Sequence, residues 1–412
     1  MAGRLIVISN RIPTEAEPAG GLVFALHEAL RRKGGVWVGT NPNVVDDPSD
    51  KLTEHDVSTS YRRMGFDITQ DEYDAFYLGF ANSVLWPICH RRGDLVSLSK
   101  QSEAGYFAVN RRLAQQVAQI VEPDDVIWVH DYHFFPLATE LRECGVENRI
   151  GFFLHVPFPA LGDLGALPQR ANMAQWLANY DLVGLQTKAD VARCLEMFRA
   201  ETRAEMMLDG SVRLGGRVFS VRSFPIGIDV EAFGEAARST ALPPAVTATL
   251  PTDLLIGVDR LDYSKGLPNR FRAYARYLDN REDPEHRASL LQIAPPSRQE
   301  VQAYRDLRME LEELTGWVNG THAELDWTPL RYIHRNIDRG TLAALYRRAK
   351  VALVTPFADG MNLVAKEFVA AQDVRDPGVL ILSHMAGAAE DLTEALLVNP
   401  YDIDEMAEAI ET

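Results

Sequence analysis

A chain of 412 residues, 46% hydrophobic and 24% charged, has room for two domains of ordinary size. Its net charge of -16, with no basic stripe, argues against nucleic acid as a partner, so any phosphate site must be built from a few locally placed cations. No apolar run approaches the ~20 residues that span a bilayer, the N-terminus lacks a signal pattern, and the scattered Cys89, Cys144 and Cys194 lack metal spacing; a cytoplasmic, membrane-free protein with reduced thiols is expected.

The predicted elements alternate. "RLIVIS" (4–9) reads as a strand, "GLVFALHEALRR" (21–32) as a helix and "VWVG" (36–39) as a second strand. "DDVIWVHD" (124–131), "RIGFFLHV" (149–156) and "LVGLQT" (182–187) are further strands, each followed by a helical pattern. Strand and helix in series imply right-handed crossovers and a mainly parallel sheet. The Asp-Gly and Gly-Gly turns in 206–227 predict an inserted hairpin. The Ala-, Pro- and Thr-rich stretch 234–253 reads as a joint between domains, dividing the chain into 1–240 and 241–412. A second series follows, with strands at 254–259, 290–295, 351–356 and 378–383 and the clearest helices at 298–316 and 361–373. The fold class expected is α/β: two doubly wound, Rossmann-like domains facing across a ligand cleft, with ligands beyond the carboxyl ends of the strands.

The polar clusters fall at such ends. In "VDRLDYSKGLPNRF" (258–271), Arg260 and Lys265 follow a strand, and Gly266 turns the chain into a helix. A guanidinium fork and an ammonium point charge there suit a phosphate; the plain alternative is a surface loop with Arg260 paired to Asp259 or Asp262. In "TPFADGMNLVAKEFVAAQ" (355–372) a helix opens near Met361 after Asp359-Gly360, and its free amides favour an anion. Glu367, two turns in, is placed to accept from a ribose diol; the alternative makes Asp359 a simple cap and Glu367 a solvated residue.

Asn10-Arg11 end the first strand, and Gly20-Gly21 precede a helix, but G-x-G-x-x-G is absent. In "WVHDYHFFP" and "FFLHVPFP", His130, Asp131, His133 and His155 follow apolar strands. H-D-Y-H lies across a strand end and not on one helix face, so groups aimed at sugar hydroxyls are expected in preference to a metal. Tyr77 and Trp86 read equally as core aromatics, and Arg298 starts a helix after a strand, with surface solvation its default. The sum is chemistry on a nucleotide-activated sugar. No carboxylate pair of glycosidase type and no P-loop is present.

The chain resembles the trehalose-6-phosphate synthase family, retaining glycosyltransferases of family 20 with the two-domain GT-B fold. The resemblance runs from residue 4 to about 402 through ten ordered motifs: "GRLIVISNR", "AGGL", "VLWP", "IWVHDYH", "GFFLHVPFP", "FPIGID", "VDRLDYSKGLPNRF", "LQIAPPSR", "LVTPFADGMNLVAKEFVAAQD" and "LLVNPYD". It implies that residues 1–240 bind the acceptor and 241–412 the nucleotide sugar. It implies Arg260 and Lys265 on the donor diphosphate, with Gly21, Asp359, Gly360, Met361, Asn362 and Leu363 lining the donor pocket. Glu367 would bind ribose and His155 the donor sugar. Arg11, Tyr77, Trp86, Asp131 and Arg298 would hold the acceptor, with Arg11, Tyr77 and Arg298 near its phosphate. The catalytic set is thus Arg260, Lys265, His155 and Asp359, with no metal and no cofactor.

The implied reaction moves glucose from a nucleotide-glucose, UDP-glucose in first place, to glucose 6-phosphate by front-face transfer, giving α,α-trehalose 6-phosphate. A homo-oligomer is left open. Three departures from the family pattern stand out. Thr40 replaces an aromatic residue in the turn after "VWVG", and Ala358 replaces an arginine before Asp-Gly. Family members also generally run on for another helix or two beyond the position of Thr412, bracing the first domain; ending there implies either a shortened chain or weaker domain coupling. The alternatives are the same donor chemistry with glycerol 3-phosphate or an amino-cyclitol phosphate as acceptor, or a silent, sugar-phosphate-binding regulator.

Overall fold

Sixteen short strands form two sheets in a computed structural model that describes residues 3–13, 21–55, 60–167, 170–283 and 285–412. The chain divides into two compact units, Met1–Pro225 and Ile226–Thr412.

The first unit holds a ten-stranded sheet: β1 (Leu5–Arg11), β2 (Val36–Thr40), β3 (Thr53–His55), β4 (Arg62–Phe66), β5 (Val126–His130), β6 (Arg149–Phe153), β7 (Leu182–Leu185), β8 (Glu205–Met206), β9 (Ser211–Leu214) and β10 (Arg217–Ser223). Their spatial order is β3-β4-β2-β1-β5-β6-β7-β10-β9-β8. The central strands pair in parallel and are apolar on both faces; Ile6, Val7, Ile8, Ile127 and Val129 are fully buried. That is the pattern of a sheet covered by helices on each side. The expected hairpin is β9–β10, antiparallel through Gly215-Gly216, with β8 added beyond it.

The second unit holds a six-stranded sheet: β11 (Leu254–Val258), β12 (Ser289–Ile293), β13 (Leu330–Ile333), β14 (Val351–Val354), β15 (Val379–Ser383) and β16 (Leu396–Val398). All five pairings are parallel, in the order β13-β12-β11-β14-β15-β16. Helix Val230–Ser239, which runs into the stretch 234–253 where the sequence suggests a joint, packs in this unit against helices Arg339–Arg348 and Leu363–Ala371. Its Phe233 and Ala237 belong to the same core as Ile256, Val354 and Phe368.

Each sheet reverses its strand order once among the parallel strands, between β1 and β5 and between β11 and β14. Side chains at the carboxyl ends flanking such a switch point project into a crevice, which is where open α/β sheets bind ligands. Among the described residues, no helix is long and apolar enough to cross a membrane.

Candidate active site

In the second unit, the switch point is flanked by the loops after β11 and β14. The β11 loop closes at Gly266, whose φ of 66° is left-handed; a Cβ there would collide with the carbonyl oxygen of Thr355. The two loops are stitched together: Phe357 N–H donates to the Ser264 carbonyl at 2.7 Å. Lys265 Nζ forms an ion pair with Asp359 Oδ2, and Asn362 Nδ2 donates to the same oxygen at 2.9 Å. Asn362, at φ 76°, is also the cap of the next helix, accepting from Ala365 N–H. Asp359 therefore faces the lysine and does not cap the helix.

Beneath these loops lies a buried charge network. Arg270, 1% exposed, donates to Asp259 Oδ2 at 2.7 Å, Gln292 Oε1 at 2.8 Å and Thr355 Oγ1 at 3.0 Å. One guanidinium thus ties together the ends of β11, β12 and β14. Gly257 makes room for it, since a Cβ there would lie 2.7 Å from Arg270 Nη1. Burial pushes the Asp259 carboxyl up, against the opposing pull of Arg270 and Lys265.

A second buried pair joins Arg298 Nη1 to Asp262 Oδ2 at 2.8 Å. The sequence reading places Arg298 at a helix start and, by default, in solvent. The structure corrects both points: the helix is Gln302–His322, Arg298 sits before it at φ 42°, and its side chain is 6% exposed. A left-handed residue lies outside the right-handed helical region, so Arg298 is not part of the helix. Asp259 pairs with Arg270 and Asp262 with Arg298; Arg260 is exposed at the carboxyl end of β11.

Met361 is buried; its carbonyl accepts from Ala388 N–H at 2.7 Å, which fixes the Gly360–Leu363 turn. Glu367 is partly buried in helix Leu363–Ala371, and burial pushes its carboxyl up to about 7, partly offset by Arg339. Tyr346, whose buried hydroxyl has no hydrogen-bond partner among the described residues, feels the Glu367 charge.

The first unit's switch point has a different character. Helix Tyr73–Leu85 is wide, with i→i+5 hydrogen bonding; Trp86 N–H, at its end, donates to the Ala81 carbonyl. Such wide turns are rare and concentrate at functional sites. Here the helix carries Tyr77 to a stack with Tyr73 (5.1 Å) and His133 (5.8 Å, 6° between planes). Arg11, exposed at the end of β1, lies 5.4 Å from the centre of the same ring. Trp86 is 4% exposed and packs on His90 and Tyr132, as a core aromatic does. Thr40, opposite Arg11 in the β1–β2 register, is buried and donates to the Asn10 carbonyl.

Asp131, at φ 74°, accepts from His155 N–H at 3.2 Å. A non-glycine residue in that region costs on the order of 1–3 kcal/mol, which its surroundings must supply. His130 Nδ1 and His155 Nε2 are 3.0 Å apart. Burial pushes His155 down to about 3 and, with the neighbouring His155, holds His130 well below its ordinary range. Both rings are therefore neutral near pH 7. His130 Nε2 is buried without a partner among the described residues. A bare acceptor is cheaper to bury than a bare N–H, which favours the tautomer with the His130 proton on Nδ1, toward His155 Nε2. Among the described residues, no three His, Cys, Asp or Glu side chains are grouped to hold a metal ion. Gly21 begins the helix Gly21–Lys33; Gly20 lies outside the described residues.

Residues 7–412 match the model of glycosyltransferase family 20. The chain belongs to that family. This family 20 chain is 44% identical over 418 residues to a trehalose-6-phosphate synthase of Sodalis glossinidius, covering 99% of the chain and 88% of the relative. It is similar, with a TM-score of 0.93 and 44% identity, to a UDP-forming α,α-trehalose-phosphate synthase of Burkholderia xenovorans in complex with glucose 6-phosphate, over 99% of this chain and 91% of that one. A trehalose-6-phosphate protein of E. coli bound with UDP-2-fluoro glucose matches with a TM-score of 0.94 and 42% identity, over 99% and 90%. The family 20 chain therefore has the GT-B fold of these enzymes and is a glycosyltransferase.

Sequence reasoning missed Arg270, Asp262 and Tyr304 as supports of the site. Arg270 had a signal: it falls one turn before Tyr274 and beside Phe271, on the buried side of helix Leu267–Asn280. A charge on an apolar stripe is the mark of a buried pair.

Proposed function

We propose that the chain transfers glucose from a nucleotide-glucose, UDP-glucose in first place, to glucose 6-phosphate, giving α,α-trehalose 6-phosphate with retention and without a metal. The observation that carries this reading is the pairing of Lys265 with Asp359 across the switch point, on the loop that also bears the exposed Arg260. As the donor's anomeric bond stretches, its electron pair moves onto the departing diphosphate. Two cations at that place stabilise the transition state more than the ground state, and supply the charge that a divalent ion supplies in other transferases. The acceptor hydroxyl attacks from the same face and passes its proton to the leaving diphosphate oxygen, so no separate base is needed.

The remaining roles follow from the chemistry of each group. Glu367, as a carboxylate, accepts from the ribose diol. Gly21, Gly360, Met361, Asn362 and Leu363 line the donor sugar and phosphates, and neutral His155 donates to the donor sugar. Arg11 and Tyr77 meet the acceptor's phosphate, as does Arg298; Trp86 and Asp131 shape its sugar subsite. Support comes from the relatives with bound glucose 6-phosphate and bound UDP-2-fluoro glucose.

Incubation with UDP- and GDP-glucose and a panel of phosphorylated acceptors tests this. Nucleotide release with glucose 6-phosphate alone, with a product of trehalose 6-phosphate mass, is expected. Release with glycerol 3-phosphate or an amino-cyclitol phosphate instead changes the acceptor, and binding without turnover removes the activity.

A further inference from the structure

The loops after β11 and β12 are neighbours, because those strands pair directly. One carboxylate joins them. Asp262 is completely buried, and both of its oxygens are used. Oδ1 accepts from Ser264 N–H at 2.9 Å, and its backbone carbonyl accepts from Lys265 N–H at 3.0 Å. Oδ2 accepts from Arg298 Nη1 at 2.8 Å and from the Tyr304 hydroxyl at 2.9 Å. Arg298 Nη1 also donates to the Tyr304 oxygen at 2.7 Å, which closes a triangle.

We propose that Asp262 is a positioning residue that couples the diphosphate-binding turn bearing Lys265 to Arg298, so that the nucleotide donor and the phosphorylated acceptor influence each other's binding. The proposal rests on the functional reading above, in which Lys265 meets the donor and Arg298 the acceptor. The physical link is short. Arg298 holds a left-handed backbone (φ 42°), which an arginine keeps only when its surroundings supply the cost. Asp262 and Tyr304 provide that hold. A phosphate on Arg298 draws the guanidinium away from Oδ2, and the same carboxylate then redistributes its bonding toward Tyr304 and the Ser264–Lys265 turn. Coupling of this kind is reciprocal: each ligand changes the affinity of the other by the same factor.

The test is titration calorimetry of the full chain with UDP, with and without saturating glucose 6-phosphate, in wild type, Asp262→Asn and Tyr304→Phe. In wild type the sugar phosphate is expected to tighten UDP by a factor in the range of roughly 5–150. In Asp262→Asn that factor falls to within about twofold of unity, while the affinity for UDP alone changes by less than about tenfold, the size of one hydrogen bond. Tyr304→Phe removes one of the contacts to Oδ2 without adding bulk, and is expected to lie between the two. A merely structural role would lower stability and leave the factor unchanged. Wild-type coupling retained in both variants overturns the proposal; if Asp262→Asn does not unfold cooperatively, Tyr304→Phe decides alone. A wild type that turns over both substrates with a factor near one overturns the coupling and leaves the functional reading standing. A wild type that neither binds nor turns over overturns both.

Discussion

The two switch points are built on one plan and prepared for opposite chemistry. In the first unit aromatic rings and neutral imidazoles predominate: Tyr77 stacked with Tyr73 and His133, and two imidazoles kept uncharged by burial, with Asp131 accepting from His155 N–H. A charged side chain, Arg11, stands at its edge. In the second unit the site is built on buried ion pairs, Lys265–Asp359, Arg270–Asp259 and Arg298–Asp262, with neutral side chains such as Gln292, Asn362 and Tyr304 bonded to them. Neutral donors and ring faces suit sugar hydroxyls, whose dipoles gain little from a full charge. Preset ion pairs suit phosphates, because the cations are already desolvated and aimed when the anion arrives. The difference also has a stability side. A buried pair contributes little net stability, yet losing one partner is expensive, so the second unit is the more fragile to charge removal.

Arg270→Met strikes the second unit hardest. It leaves Asp259 buried without its cation, and is expected to cost about 3–5 kcal/mol. Urea unfolding followed at equilibrium measures this; a loss below about 1 kcal/mol would show that the network is not a structural unit. Next in size is Arg260→Ala. Loss of a donor that meets developing charge should lower turnover by roughly 10²–10³. Steady-state nucleotide release measures it, and a variant within a few fold of wild type contradicts the role.

How much of this was legible before the structure depends on distance along the chain. Local features were readable: the apolar strands β1, β5, β11 and β14, the glycine turn at Gly266, and cations at the carboxyl end of β11. The outlying strands β4 ("RRMGF") and β13 ("LRYI") were not, since both are short, with charged residues breaking the apolar run. The wide helix Tyr73–Leu85 escaped because its turn matches neither the period of 3.6 nor that of 2. Partners were the least visible. Asp262 pairs across 36 positions and Lys265 across 94, and nothing local distinguishes these aspartates from solvated ones. Hence Asp359 was open to being read as a helix cap, although the adjacent Asn362 has that role.

A smaller effect tests the first unit. Tyr77→Ala removes the ring that stacks on His133 and lies beside Arg11. Stacking and cation–π contacts at such a site are each worth about 0.5–2 kcal/mol. The expected result is a rise of about tenfold in the acceptor's KM with kcat and the donor's KM nearly unchanged. A fall in kcat with KM unchanged would instead place Tyr77 with the transition-state groups, and the contrast between the two units would weaken.

The smallest expected effect is a pH dependence carried by Glu367. Burial raises its carboxyl from an ordinary 4.5 to about 7. A raised folded value means that the native state keeps a proton which the unfolded chain releases. The stability from this group is therefore fully present below the unfolded value and is lost as the pH rises through about 7. Glu367→Gln cannot release a proton, so its stability should fall less steeply than wild type between pH 5 and 8, with a difference in slope of at most about 1.4 kcal/mol per pH unit. Binding adds a second reading with the same variant. If the ionised carboxylate accepts from both ribose hydroxyls, wild-type affinity for UDP should gain on that of Glu367→Gln as pH rises from 6 to 8, once the carboxylate forms. The nucleotide's own phosphate titration is common to both proteins and cancels in the ratio. Parallel affinity profiles would remove Glu367 from the ribose, while parallel stability profiles would mean that its burial is relieved in solution.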